Sequence, residues 1–311
     1  MWEPELALYT ESLAARSLAP STVRHRRNKV RQMMVFLEGR GVSELSEVSR
    51  QHVDAWLAHL GGEYRTARGA PITVSHLCDH HLCVKDFFKW LEREGRILSS
   101  PYGVRELPER DLPARLPVVL SPEEAVLVLE AVSPRSAQGL RDRAILEVLY
   151  STGMRKGELV ALNVEDFSFT RREIAILKSK SKRGRVVPVG EYARQFTEAY
   201  LRAVRPWVVV DDEEKALFVS HHRGRRLAVR TVGQIVSRAA RRSGVRKPVT
   251  PHTFRHSMAT HLLRNHADLR HIQAILAHAQ ITSTEIYTHV GLEDLKEVLR
   301  RAHPHGKASQ K

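Results

Sequence analysis

Thr250-Pro251-His252-Thr253-Phe254-Arg255-His256 opens a helix predicted over residues 252–264 and sets His252 and Arg255 three residues apart. On a helix that spacing puts both side chains on one face, where an imidazole and a guanidinium can address one phosphate together. Upstream, Ser151-Thr152-Gly153-Met154-Arg155-Lys156-Gly157-Glu158-Leu159 carries an arginine just past a glycine break between helices, a place well suited to meeting an anion. Residues 173–189 leave the helical texture. Ile174 and Ile176 alternate, a Lys/Arg/Gly turn intervenes, and Val187-Pro188-Val189-Gly190 resumes, which predicts a basic β-hairpin. Downstream, Leu276-Ala277-His278 is followed nine residues later by Tyr287. Taken singly, each is ordinary: a lone arginine is more often an ion-pair partner, and a lone helical tyrosine more often core packing.

Outward from these pieces the chain reads as mainly helical. Further helices are predicted near residues 139–152, 190–203, 231–243, 268–277, 282–289 and 292–301. Another is opened by Ser121-Pro122-Glu123-Glu124, with an N-cap, a proline in the first turn and acids at the positive dipole end. Residues 99–117 hold Pro101, Gly103, Pro108, Pro113 and Pro117 among charges, a texture that cannot continue a helix and reads as a linker. Ahead of it lie four or so amphipathic helices. One, capped by Ser21-Thr22, keeps Val23, Val30, Met33, Met34 and Leu37 at helical spacing; others lie near residues 50–60 and 73–94. The first of these carries Arg24, His25, Arg26, Arg27, Lys29 and Arg31, a stripe that reads as phosphate contacts or as a solvated face.

The 311 residues, 42% hydrophobic and 6% aromatic, suffice for two domains with largely aliphatic cores. A formal charge of +15 and a pI near 10.2 point to a polyanionic partner, nucleic acid ahead of an acidic membrane surface. The excess is uneven, with 17 Lys/Arg against 15 Asp/Glu in residues 1–116 and 33 against 20 in residues 117–311. Two cysteines, Cys78 and Cys83, are too few for a disulfide framework, and no apolar run has the length of a membrane helix. The amino-terminal residues show no signal-peptide pattern, so the expected location is cytoplasmic.

Together the four pieces resemble the tyrosine recombinase (lambda-integrase-type) family, most closely its chromosomal Xer-type members. The resemblance covers nearly the whole chain and is strongest over residues 149–162, 180–190 and 250–289. The family's active site of Arg, Lys, His-x-x-Arg, His/Trp and Tyr implies Arg155, Lys180, His252, Arg255, His278 and Tyr287 as catalytic residues. The hairpin reads Lys178-Ser179-Lys180-Ser181-Lys182 where the family often has Gly-Lys-Gly, which leaves Lys178 and Lys182 as alternatives to Lys180. Ala277 stands where glycine commonly precedes the histidine. His256 and His289 read as structural or supporting residues.

The implied fold is mainly α with a small β-hairpin or sheet. A helical, SAM-like DNA-binding domain over residues 1–105 and a linker over 106–117 precede a mixed α+β catalytic domain over 118–311. The implied chemistry is DNA cleavage and rejoining through a 3′-phosphotyrosine on Tyr287 and a Holliday junction, in chromosome dimer resolution or mobile-element integration and excision. Tyr287 needs help at neutral pH, its ordinary pKa being about 10. Arg155 and Arg255 suit the non-bridging phosphate oxygens, and His278 adds a donor. Lys180 suits the acid for the 5′ oxygen, and His252 suits proton exchange with Tyr287. The expected partners are a roughly palindromic DNA duplex and three further protomers, identical or related, in a synaptic tetramer. Arg24, Arg27, Arg31, Lys182, Arg183 and Arg185 are the candidate DNA contacts. The carboxy-terminal helix is expected to dock on a neighbour or to pack on its own domain.

This residue set needs no cofactor, and no phosphate-binding loop for ATP is present. His76, Cys78, His80, His81 and Cys83 crowd one segment in the manner of a zinc site, but a five-residue step turns the two cysteines to well-separated helix faces. The expectation there is a core helix and no metal. Two other functions stay open on the sequence: supercoil relaxation of the type IB topoisomerase kind, and DNA binding by an inert catalytic fold.

Overall fold

The computed structural model describes residues 2–66, 69–103, 118–177, 184–276 and 292–304. The chain divides into two compact units, Met1–Arg115 and Leu116–Lys311. The predicted linker at 106–117 and the predicted helix at 282–289 lie outside the described residues.

The first unit holds α1 (Glu3–Ala15), α2 (Pro20–Glu38), α3 (Arg50–Gly62) and α4 (Val74–Arg93). Helix α1, the fourth of the helices expected in this segment, buries Leu6, Tyr9 and Leu13 at spacings of three and four. The expected Ser21-Thr22 cap is not used. Ala19 is the cap residue and Pro20 opens α2, because a proline in the first turn has no N–H to satisfy and a preset φ. Helix α4 is capped by Thr73, whose hydroxyl accepts from the His76 amide. It packs Phe87 edge-on to Tyr9 at 5.1 Å, with Trp90 5.4 Å from the same ring.

The second unit begins with α5 (Pro122–Glu130), where Ser121 and Glu124 form the capping box that the sequence anticipates. At its centre runs α6 (Ala137–Thr152), buried at every residue from Arg141 to Thr152. A helix covered on all sides must pair its charges internally. Arg141 bonds Asp142 at 2.7 Å, and Arg143 bonds Glu147 at 2.8 Å with its guanidinium 4.7 Å from the Phe196 ring. The short α7 (Lys156–Ala161) follows. Then come strands β1 (Phe167–Ser168), β2 (Glu173–Ile176) and β3 (Arg185–Pro188) in an antiparallel sheet of that order. The predicted hairpin is β2–β3, with Ile174 opposite Val187 and Ile176 opposite Arg185. Its turn, residues 178–183, lies outside the described residues.

Helices α8 (Glu191–Ala203), α9 (Arg205–Val208), α10 (Val229–Ser243), α11 (Pro251–Arg264), α12 (Leu269–Leu276) and α13 (Leu292–Ala302) complete the unit. In the single chain α13 lies against its own unit. Leu295, Val298 and Leu299 are buried, Lys296 bonds Glu173 of β2 at 2.7 Å, and Asn265 donates to the Ala302 carbonyl.

Candidate active site

Helix α6 stops at Gly153, which takes a left-handed φ of 58°. A β-carbon there would stand 2.4 Å from Met258 Cε and 2.8 Å from Leu276 Cδ2, so glycine is required by space as well as by conformation. The Gly153 carbonyl accepts from Arg255 Nη1 at 2.6 Å, and Arg255 Nη2 donates to the Leu276 carbonyl at the end of α12. One buried guanidinium thus holds two chain breaks together, the end of α6 and the end of α12.

Two residues past the glycine, Arg155 caps α7. Its amide donates to Glu158 Oε2 and its Nη1 to Glu158 Oε1, both at 3.0 Å. Arg185, at the start of β3, grips the same carboxylate with Nη1 at 3.2 Å and Nη2 at 2.8 Å, and its Nε donates to the Ile275 carbonyl at 3.1 Å. Glu158 is 4% exposed, and burial alone would raise its carboxyl pKa. The Arg185 hydrogen bonds and the Arg155 amide outweigh that and hold it below the usual carboxylate range. Burial, then the nearby Arg155 and Arg185 charges, bring Arg255 down to about 10.

His252 sits exposed in the first turn of α11, with its pKa lowered by partial desolvation and then by Arg255, His256, Lys156 and Arg155. Both effects favour the neutral imidazole, the form that can accept a proton. The structure therefore brings together Arg155, Arg255 and His252, three of the six expected catalytic residues. Lys180, His278 and Tyr287 lie outside the described residues, as do Lys178, Lys182, Arg183 and His289.

Arg185, expected as a DNA contact, is instead engaged with Glu158 and Ile275. Its side chain is only 10% exposed, so its role in the described structure is to brace the site from the hairpin. Glu158 itself was missed by the sequence reading, although its place three residues after Arg155 at the start of a helix is a capping signal. The basic stripe of α2 divides. Arg24 is exposed, and Arg27 and Arg31 are exposed while meeting Glu3 at 3.5 and 3.2 Å. Surface pairs of that kind are weak and yield readily to a phosphate. Arg26 and Lys29 turn toward α4, where they meet Asp86 and His80. His256 is exposed, whereas His261, not singled out in the sequence, is buried between the Tyr150 hydroxyl at 2.9 Å and the Leu120 carbonyl at 2.8 Å.

Residues 119–293, which contain this cluster, match the phage integrase family. The chain belongs to that family, the tyrosine recombinases. The recombinase is 39% identical over 295 residues to tyrosine recombinase XerC 2 of Ralstonia nicotianae, covering 94% of this chain and 84% of the relative. It is 35% identical to tyrosine recombinase XerC of Syntrophus aciditrophicus, with 93% of each chain covered. Its fold is shared with the XerH site-specific recombinase in a pre-cleavage complex with difH substrate, at a TM-score of 0.66 and 21% identity over 92% of this chain and 81% of that one. A lambda integrase dimer bound to a COC′ core site also has a TM-score of 0.66, at 17% identity over 94% of this chain and 77% of that one. The recombinase's activity is site-specific recombination. Among its described residues no helix is long and apolar enough to cross a membrane.

Proposed function

We propose that the recombinase cleaves each DNA strand by attack of the Tyr287 phenolic oxygen on a phosphodiester. A 3′-phosphotyrosine forms as the bond to the 5′ oxygen breaks, and rejoining is the reverse attack by a 5′-hydroxyl from the partner strand. Arg155 and Arg255 hold the two non-bridging oxygens as charge spreads over them, and His278 adds a donor. His252 takes the proton from Tyr287, and Lys180 gives one to the departing 5′ oxygen.

The observation that carries this reading is a surplus of positive charge among the described residues. Three guanidiniums crowd together: Arg155 and Arg185 share the Glu158 carboxylate, while Arg255 beside them is bonded only to the Gly153 and Leu276 carbonyls and feels both charges. A phosphodiester supplies the missing negative charge, and planar N–H forks match its oxygens. No step in this scheme calls for a metal ion, since the arginines supply the charge stabilisation.

The unit Met1–Arg115 serves as the DNA-binding domain, with Arg24, Arg27 and Arg31 toward phosphates, and Leu116–Lys311 as the catalytic domain. The structural relatives include complexes on palindromic difH, on a core site as a dimer, and on a Holliday junction as a tetramer. We carry over a roughly palindromic duplex and a synaptic tetramer, in the cytoplasm. Chromosomal sites are the first to test, ahead of mobile-element ends, a choice supported by relatives named XerC and XerD that match over 93% and 94% of their own lengths. Relaxation alone and inert DNA binding are not favoured.

The test uses nicked suicide duplexes and intact duplexes carrying a candidate chromosomal site, without metal or ATP, and scores covalent adducts on a denaturing gel. The expected result is an adduct from the wild type and none from Tyr287→Phe, while Lys180→Ala forms one only on the nicked substrate. A wild type that binds the site and forms no adduct overturns the reading.

A further inference from the structure

The histidine- and cysteine-rich stretch of α4 is sorted by the fold into separate partnerships. His81 Nδ1 pairs with the Tyr102 hydroxyl, and His80 Nε2 takes a hydrogen bond from Lys29 Nζ at 2.7 Å. Cys83 joins neither. With Asp79, four residues back on the same face of α4, it meets His25 of α2. His25 Nε2 lies 2.7 Å from Asp79 Oδ2, and the imidazole, carboxylate and thiol donor atoms all lie within 4.8 Å of one another.

We propose that His25, Asp79 and Cys83 bind a divalent transition cation of the zinc class and so tie α2 to α4. Imidazole nitrogen, carboxylate oxygen and thiolate sulfur form a donor set that this class accepts, with bonds of about 2.0–2.3 Å. A tetrahedral site of that size needs donors about 3.3–3.8 Å apart, so the His25–Asp79 contact at 2.7 Å must open, and donor atoms already within 4.8 Å of one another need only small shifts. The adjustment falls on His25, which is exposed and can change rotamer, while Cys83 is held at 5% exposure in the helix interface. Three protein ligands leave the fourth position to water. The sequence pattern conceals the site because the cysteine pair suggests itself as the ligand set, whereas the third ligand comes from a helix 54 residues away.

Electrostatics set the affinity. A bound dication is offset by the Asp79 carboxylate and the Cys83 thiolate, and Arg26 is already matched by Asp86. Lys29, whose Nζ is 3.8 Å from Asp79 Oδ2, is the charge that opposes the ion. A site built only as a hydrogen-bonded ion pair would need Lys29 and be indifferent to the thiol. A metal site needs the thiol and is weakened by Lys29, so the two variants separate the readings.

The experiment is a cobalt(II) titration of the full-length, chelator-stripped protein, kept reduced with a phosphine. The near-ultraviolet thiolate-to-cobalt charge-transfer band is followed. The expected result is a band saturating at one equivalent and bleached by zinc(II). It should be absent in Cys83→Ser, retained in Cys78→Ser, weakened in His25→Ala and reached at lower cobalt in Lys29→Gln, which keeps a hydrogen-bond donor for His80. Far-UV circular dichroism checks that each variant is folded. Zinc should also raise the thermal midpoint of the wild type and not that of Cys83→Ser. No band at saturating cobalt, a band that survives in Cys83→Ser, or an unchanged cobalt affinity in Lys29→Gln overturns the proposal.

Discussion

Replacing Glu158 with Gln tests whether one carboxylate organises the arginine cluster. The wild-type oxygens accept four N–H groups, from the Arg155 amide and Nη1 and from Arg185 Nη1 and Nη2, at 2.8–3.2 Å. Glutamine keeps the volume but presents an NH2 on one side, so a donor faces two donors and the shared negative charge is gone. Losing one partner of a buried ion pair costs about 3–5 kcal/mol. For a unit of this size each kcal/mol lowers the midpoint by about 2–4 °C, so Glu158→Gln should melt roughly 6–20 °C below wild type. The pH dependence carries its own sign. The folded pKa of Glu158 is held below 4.5, so its stabilisation is present above that value and is lost as pH falls through the depressed folded pKa. The deficit of the variant should therefore be full at pH 7 and shrink in acid. The assay is thermal unfolding of both proteins across that range. An unchanged midpoint at pH 7, or a deficit that persists undiminished in acid, refutes the reasoning.

Gly153→Ala should lose about 2–5 kcal/mol, from a left-handed alanine and from overpacking against Met258 and Leu276, and urea unfolding will measure it. Arg24→Ala should lower the salt dependence of DNA binding by about one counterion while leaving stability alone, whereas Arg185→Ala should destabilise the protein. Binding titrations across salt concentrations and denaturation curves separate the two. With His252 depressed below its usual 6.5 and acting as proton acceptor, adduct formation should hold its rate as pH drops past 6.5 and fall only in more acidic buffer. His252→Gln should be slow throughout with that acid limb gone, as a pH–rate profile will report.

Arg24 and Arg185 differ in ways that their local sequence does not show. Both were basic residues in basic stretches, and local sequence offered the same reading for each. What distinguishes them is a long-range pairing. Arg185 faces a carboxylate 27 residues earlier and a carbonyl 90 residues later, while Arg24 faces solvent. The same holds within α2, where Arg26 and Lys29 turn inward to α4 while Arg24, Arg27 and Arg31 stay outside.

The helices with strong periodicity, the β2–β3 hairpin, the Ser121 cap, the glycine break at 153 and the shared face of His252 and Arg255 are legible in the residues alone. These depend on neighbours within one or two turns, so composition and spacing suffice to read them. Packing is what joins the ends of α6 and α12 through Arg255, brings Arg185 to the Glu158 that Arg155 already holds, and sets Cys83 and Asp79 against His25. The deciding contact in each case is distant in sequence: 102 residues for Arg255 to Gly153, 27 for Arg185 to Glu158 and 54 for His25 to Asp79. The local pattern contains no record of which distant atom will be there, since that is settled by how whole helices pack.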